Sequence, residues 1–275
     1  MLFYYLSNVD NLKNIKLITH QTDLTIDKKL FYKKPKCISK WYSINVSFQH
    51  QDLIPIPIGI ANDYSPKNLL VKDFLNFTPQ KNKENKLYVN NRRNTNHKER
   101  DKTYELFINK SWCKVDEANL PIDNYKNNLD TYKFILCPPG NGLDTHRIWE
   151  SLYLGSVPVV KKHLTYGYLD SINSLIVDNF EDLSEIHLNE FIKNTRNNKE
   201  DIVNEKLKID YWEKLIRDEE LPVITEVRIN NSNIINSLFN TFKRTKNYFE
   251  SKIKIVKFYF RKLKKLLNKI FELFK

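Results

Sequence analysis

Three of the chain's five glycines fall within a single stretch, Tyr132 to Lys161 (YKFILCPPGNGLDTHRIWESLYLGSVPVVK). A chain so poor in glycine spends it where the backbone needs it. Tyr132 to Cys137 is a short apolar run without helical period, which predicts a buried strand. Pro138-Pro139-Gly140-Asn141-Gly142 then interrupts regular structure and frees the backbone for positive φ angles. Asp144 or Thr145 fits the cap of a following helix, and Gly155 fits the left-handed residue that ends it. Val157 to Val160 reads as the next strand. A strand, a glycine turn and a helix start in this order concentrate free N–H groups and positive dipole at one point, which favours phosphate.

The predicted helix carries chemistry on one face. Arg147 and Glu150 are three residues apart and share that face with Ser151 and Leu154, while Ile148, Trp149 and Leu152 supply the side that packs on a sheet. A cation in the first turn of a helix opposes the dipole. Arg147 makes better sense with an anion in front of it, and Glu150, one turn deeper, is placed to accept hydrogen bonds from a diol such as a ribose. The plainer alternative is an Arg147–Glu150 surface pair, worth a few tenths of a kcal/mol.

Along the rest of the chain, Ile15 to Ile18, Leu53 to Ile58, Leu87 to Val89 and Ser174 to Val177 read as strands. Lys98 to Ile108, Asn179 to Asn198 and Asp201 to Glu219 read as mostly helical. Strands alternating with helices predict an α/β fold with a mostly parallel sheet. Lys81 to Lys86, charged and free of apolar residues, is the expected boundary between residues 1–80 and 87–225. Hydrophobic residues at 41% and aromatics at 13% argue for a globular protein and against disorder. Three widely spaced cysteines, Cys37, Cys113 and Cys137, read as free thiols in a reducing compartment.

The formal charge of +12 is unevenly distributed. Residues 243–275 hold 12 Lys and Arg against 2 acids, which leaves only +2 for the rest. In this tail Ile255, Val256, Tyr259, Phe260, Leu263, Leu266, Leu267, Ile270 and Phe274 recur at helical spacing, with Lys and Arg on the other face. Such a basic amphipathic helix reads as lying on an anionic membrane surface, and the alternative is a helix docked on the body. Nucleic acid is disfavoured, since the body shows no basic groove with interleaved aromatics and no helix-turn-helix or zinc pattern. Met1 to Leu6 is too short for a signal peptide and no run approaches the ~20 apolar residues of a bilayer span. The expectation is a cytoplasmic protein, peripheral on the membrane.

The segment PPGNGLDTHRIWESLYLGSVPVV resembles the signature of exostosin-like glycosyltransferases, in which a GNGxDxHRxWE helix is followed by a small-residue turn and a VPV strand. Trp41 to Ile60, ending in PIPIG, and Leu87 to Arg100, LYVNNRRNTNHKER, resemble two further family segments, so the likeness spans roughly residues 15 to 185. It implies a GT-B architecture, with two Rossmann-like domains facing across a cleft and the C-terminal one holding a nucleotide-diphosphate sugar. It also implies sugar transfer to a glycan or glycolipid acceptor without an obligatory metal or other cofactor. At about 80 residues the N-terminal domain is reduced relative to the family pattern.

Under that resemblance the donor-binding candidates are Arg92 and Arg93, leaving the first strand of the C-terminal domain towards the diphosphate, then Gly140, Asn141, Gly142, His146, Arg147 and Glu150. Arg100 is a further candidate cation. Inverting transfer needs a base for the acceptor hydroxyl. His20 and Asp23, just beyond the Ile15–Ile18 strand, are the candidates, with a cap or turn role equally open to Asp23. No Asp-x-Asp pair occurs, which counts against a metal-dependent GT-A enzyme. The alternative function is a non-catalytic, membrane-associated scaffold with a degenerate transferase body.

Overall fold

Alternation of strand and helix is the organising feature of the computed structural model, which describes residues 2–63, 68–197, 205–217 and 228–229. The chain divides into two units. One comprises residues 1–13 and 223–275. Its described part is α1 (Leu2–Leu6) and β1 (Val9–Asp10), the latter paired antiparallel with Arg228–Ile229. The basic tail at 243–275, the end of the predicted helix at 218–219 and its start at 201–204 lie outside the described residues.

The second unit, residues 14–222, contains two parallel sheets. The smaller has three strands in chain order, β2 (Ile15–Thr19), β3 (Ile38–Ser43) and β4 (Leu53–Pro55), with the one-turn helix α2 (Lys28–Phe31) in the first crossover. Asp27 caps α2 by accepting from the Leu30 N–H at 2.7 Å, so the cap role open to Asp23 falls to Asp27. The predicted strand at Leu53 to Ile58 stops at Pro55, because the prolines at 55 and 57 remove ladder donors.

The larger sheet contains β5 (Glu84–Val89), β6 (Cys113–Val115), β7 (Tyr132–Leu136), β8 (Val157–Lys161) and β9 (Leu175–Val177), all parallel in the order β6-β5-β7-β8-β9. Successive residues feed opposite faces. Tyr88, Ile135 and Val160 enter one core, with α4 (Ile122–Thr131) and α5 (His146–Tyr153). Leu87, Val89, Phe134, Leu136, Val157 and Val159 enter the other, with α3 (His97–Phe107) and α6 (Glu185–Asn197). Helices on both faces of an all-parallel sheet make a doubly wound, Rossmann-like α/β arrangement. The last described helix, α7 (Ile209–Arg217), adds Trp212 to the first core.

The expected boundary at Lys81 to Lys86 is ordered structure. Glu84 already starts β5, and Lys83 forms a buried ion pair with Asp130 at 2.7 Å. Charge there reflects one internal pair and a solvated strand entry.

The order of the larger sheet matters most for function. The chain runs from β5 outward to β6, then crosses back to β7 on the other side of β5. Loops leaving the C-terminal ends of β5 and β7 therefore diverge, and such a switch point leaves a crevice where open α/β sheets take ligands. Asn90 to Thr95 follow β5 and Cys137 to Thr145 follow β7.

Candidate functional site

A cavity of about 310 Å³ occupies that crevice. Its wall includes Asn90, Arg92, Thr95 and Arg100 from the β5 side and Gly140, Asn141, Gly142, Asp144, Thr145, His146, Arg147 and Glu150 from the β7 side. Ala118, Leu120, Ile122 and Tyr125 close it from the start of α4, while Asp23, Ile58 and Asn68 come from loops of the smaller sheet's half.

The strand–turn–helix unit forms as predicted, and Gly155 takes the left-handed conformation at φ +73° beyond α5. Burial of Ile148, Trp149 and Leu152 fixes the helix on the sheet, each contributing about 1.5–3 kcal/mol. The glycine loop works differently from expectation. Neither Gly140 nor Gly142 has positive φ; space is what they supply. A Cβ on Gly140 would stand 3.0 Å from Arg100 Nη2, and one on Gly142 only 2.8 Å from Asn45 Nδ2.

Asn45 explains that crowding. It adopts φ +56°, its Oδ1 accepts from the Asp144 N–H at 2.8 Å, and its Nδ2 donates to the Thr22 carbonyl at 2.9 Å. Asp144 does not cap α5. Thr145 holds the cap position without a side-chain bond, and the Asp144 carboxylate turns inward to accept from Ile58 N–H at 2.7 Å, the Tyr168 hydroxyl at 2.8 Å and Trp149 Nε1 at 3.3 Å. Burial pushes the Asp144 pKa up, and these donors only partly offset it. His146 Nδ1–H donates to the Gly59 carbonyl at 2.8 Å, beyond the PIPI run. Loops of the smaller sheet are thus bonded directly to the start of α5.

Arginines converge on the cavity. Arg100 is consumed internally: its guanidinium donates to the carbonyls of Pro138, Pro139 and Arg92 at 3.0–3.1 Å and to Thr95 Oγ1 at 2.6 Å, clamping the β5 and β7 loops together. Its pKa falls to about 10, chiefly through burial and then through the nearby Arg147. Arg147 keeps capacity in hand. Its Nη1 is buried with no hydrogen-bond partner, as is Thr145 Oγ1, and its guanidinium carbon lies 5.2 Å from the Tyr125 ring centroid. An unpaired donor of this kind costs about 1–3 kcal/mol, a debt an anion in the cavity removes.

Arg147 and Glu150 form no ion pair, which disposes of the surface-pair alternative. Glu150 is only 2% exposed; Oε1 accepts from the Leu69 N–H at 3.0 Å and Oε2 from the Tyr125 hydroxyl at 2.6 Å. It lies on the cavity wall with one lone pair of each oxygen engaged.

Of the remaining candidates, Arg92 lines the cavity but Arg93 does not. Arg93 faces the neighbouring open depression, 3.8 Å from Asp101 and stacked over Tyr104. Asp23 is exposed on the cavity rim. His20 is exposed outside it, its Nε2–H donating to the Pro57 carbonyl at 3.0 Å. Among the described residues no cluster of three or more His, Cys, Asp or Glu is arranged to hold a metal ion. Sequence reasoning missed Tyr125, Asn68, Asn90 and Thr95 on the wall, and Asn45 in the support behind it. Pro121 with Asp123 in the next turn was the available signal for α4, and Tyr125–Leu129 for its buried face.

A family model described as the RXYLT1 C-terminal domain matches residues 67–221. The chain belongs to this exostosin-like glycosyltransferase family. No curated protein matches the chain. The RXYLT1 C-terminal domain segment contains the whole larger sheet, Arg92, Arg100, Arg147 and Glu150. Asp23, Asn45, Ile58 and Gly59 precede it, so part of the cavity wall and the bonds that Asn45, Ile58 and Gly59 make to Asp144 and His146 depend on residues outside the matched domain.

Proposed function

We propose that the chain is a GT-B-like, metal-independent glycosyltransferase that moves a sugar from a nucleotide-diphosphate donor to a glycan or glycolipid acceptor with inversion. The observation that carries this reading is the buried, unpartnered Arg147 guanidinium nitrogen at the sheet's switch point, beside Arg92 and Arg100. Mutually repelling cations with a donor left over are what an anion site needs before its anion arrives.

In this reading Arg147, Arg92 and the start of α5 hold the diphosphate, with Gly140, Asn141 and Gly142 forming the wall it passes. His146 stands beside the phosphates, its tautomer fixed by Gly59. Glu150 accepts from the ribose diol with its remaining lone pairs. Asp23, exposed on the rim, takes the proton of the acceptor hydroxyl as that oxygen bonds to the anomeric carbon and the bond to the diphosphate breaks. The departing charge falls on Arg147 and Arg92. Asp23 is favoured over His20 as the base because it lines the cavity. The basic pattern of residues 243–275 supports attachment to anionic lipid, with the protein peripheral on the cytoplasmic side.

Calorimetric titration with UDP, GDP, CMP and their sugar conjugates, with and without EDTA, tests the reading. Saturable binding of one nucleotide that survives EDTA is expected. No binding by any of them would overturn it, leaving a scaffold whose working part is the tail.

A further inference from the structure

One aromatic ring in the cavity serves two groups of opposite charge. Tyr125 projects from α4 and is 9% exposed. Its face lies 5.2 Å from the Arg147 guanidinium carbon, and its hydroxyl donates to Glu150 Oε2 at 2.6 Å. The other Glu150 oxygen is tied to the Leu69 N–H. We infer that Tyr125 is a positioning residue that sets Arg147 and Glu150 at a fixed spacing, one for the phosphates and the other for the ribose of a single nucleotide.

The choice of a tyrosine has a physical reason. A carboxylate beside Arg147 would take its N–H groups and cancel its charge. A π face attracts the guanidinium while occupying none of its five donors. Nη1 is unpartnered under this arrangement. At the other end, the phenol steadies the carboxylate through one charge-assisted bond, and with the Leu69 N–H on the other oxygen two of the four lone-pair sites stay open. Burial holds the Tyr125 phenol well above its ordinary pKa, so it remains the donor. The anchor is rigid, because α4 seats Leu129 and Tyr125 in the same core as Ile148 and Trp149 of α5. The inference rests on the donor reading above, which assigns the two charged groups to the two parts of the ligand.

The two functions of Tyr125 separate by substitution. Tyr125→Phe keeps the ring under Arg147 and removes the bond to Glu150; Tyr125→Leu removes both. Inorganic pyrophosphate probes the Arg147 end alone, and UDP and GDP probe both ends. For Tyr125→Phe, calorimetry should give pyrophosphate affinity within twofold of wild type and nucleoside diphosphate affinity reduced about five- to tenfold. Tyr125→Leu should weaken pyrophosphate about tenfold as well. Equal losses for both ligands in both variants, following a fall in melting temperature, would mark a merely structural residue and overturn the inference. Wild-type affinities in Tyr125→Phe would do the same, as would nucleotide binding by wild type without any pyrophosphate binding. Wild-type protein that binds none of the probes overturns the donor reading itself, and the inference with it.

Discussion

The two sides of the cavity treat their polar groups in opposite ways. Apart from Asp23 on the rim, the smaller sheet's loops commit theirs: Asn45 bonds Asp144 and Thr22, the Ile58 N–H donates to Asp144, and the Gly59 carbonyl takes His146. The start of α5 leaves some open, with Arg147 Nη1 and Thr145 Oγ1 buried and unpartnered. Satisfied groups stabilise the native state, whereas unsatisfied ones cost stability and persist where something else selects for them. In the proposed reading the first side is mainly support and the second is the donor-binding surface.

Arg147→Ala is the hardest test of that contrast. Transfer should fall roughly 10²–10³-fold, as for loss of a group that stabilises developing charge. Melting temperature should hold or rise, because a buried, under-satisfied cation is removed. A large loss of stability with activity retained would reverse the two assignments. Gly142→Ala should do the opposite. Its Cβ meets an Asn45 amide held by two hydrogen bonds, so overpacking should cost about 1–3 kcal/mol, read as a lower denaturation midpoint.

Asp144→Asn should show the support side through pH. Burial raises the folded-state pKa of Asp144 above its ordinary 3.8, so the folded chain binds more protons than the unfolded chain just above that value. Stability from this group is therefore complete below about 3.8 and is lost as pH rises through the folded value. Denaturant titrations should find wild type gaining on Asp144→Asn as pH is lowered from neutrality, and a difference independent of pH would refute the assignment. Arg93→Ala should be the mildest change, with donor affinity within about threefold of wild type, since an exposed pair with Asp101 is worth about 0–1 kcal/mol. A Kd shift as large as that of Arg92→Ala would return Arg93 to the binding surface.

Much of the larger sheet was legible because β5, β7, β8 and β9 each carry a short apolar run and α5 is bounded by glycine, whereas the three-residue β6, CKV, gave no such signal. Tyr132–Leu136, His146–Tyr153 and Val157–Lys161 sit where the glycine pattern puts them. Arg147 was legible because a cation in a first helical turn is out of place without a partner. What stayed hidden was long-range. Asp144 looks like a cap locally, and only the arrival of Ile58, 86 residues away, and of Tyr168 turns it inward. Gly142 looks like a turn residue, but its neighbour Asn45 lies in another sheet's loop. β3 escaped notice because Ile38–Ser43 mixes Lys and Ser into an otherwise buried strand. Local pattern identifies an element; which partner later occupies its free valences depends on the tertiary fold.

The Asn45–Gly142 contact also limits how this protein can change by recombination. The cradle around α5 is written in two distant stretches of sequence that must agree to within the width of one methyl group. A larger residue inherited at position 142, or a donor half grafted behind a foreign N-terminal portion, would meet an amide shaped for a bare backbone. Successful chimaeras must therefore carry residues 45, 58, 59 and 142–146 together, although just over a hundred positions separate the ends of that set.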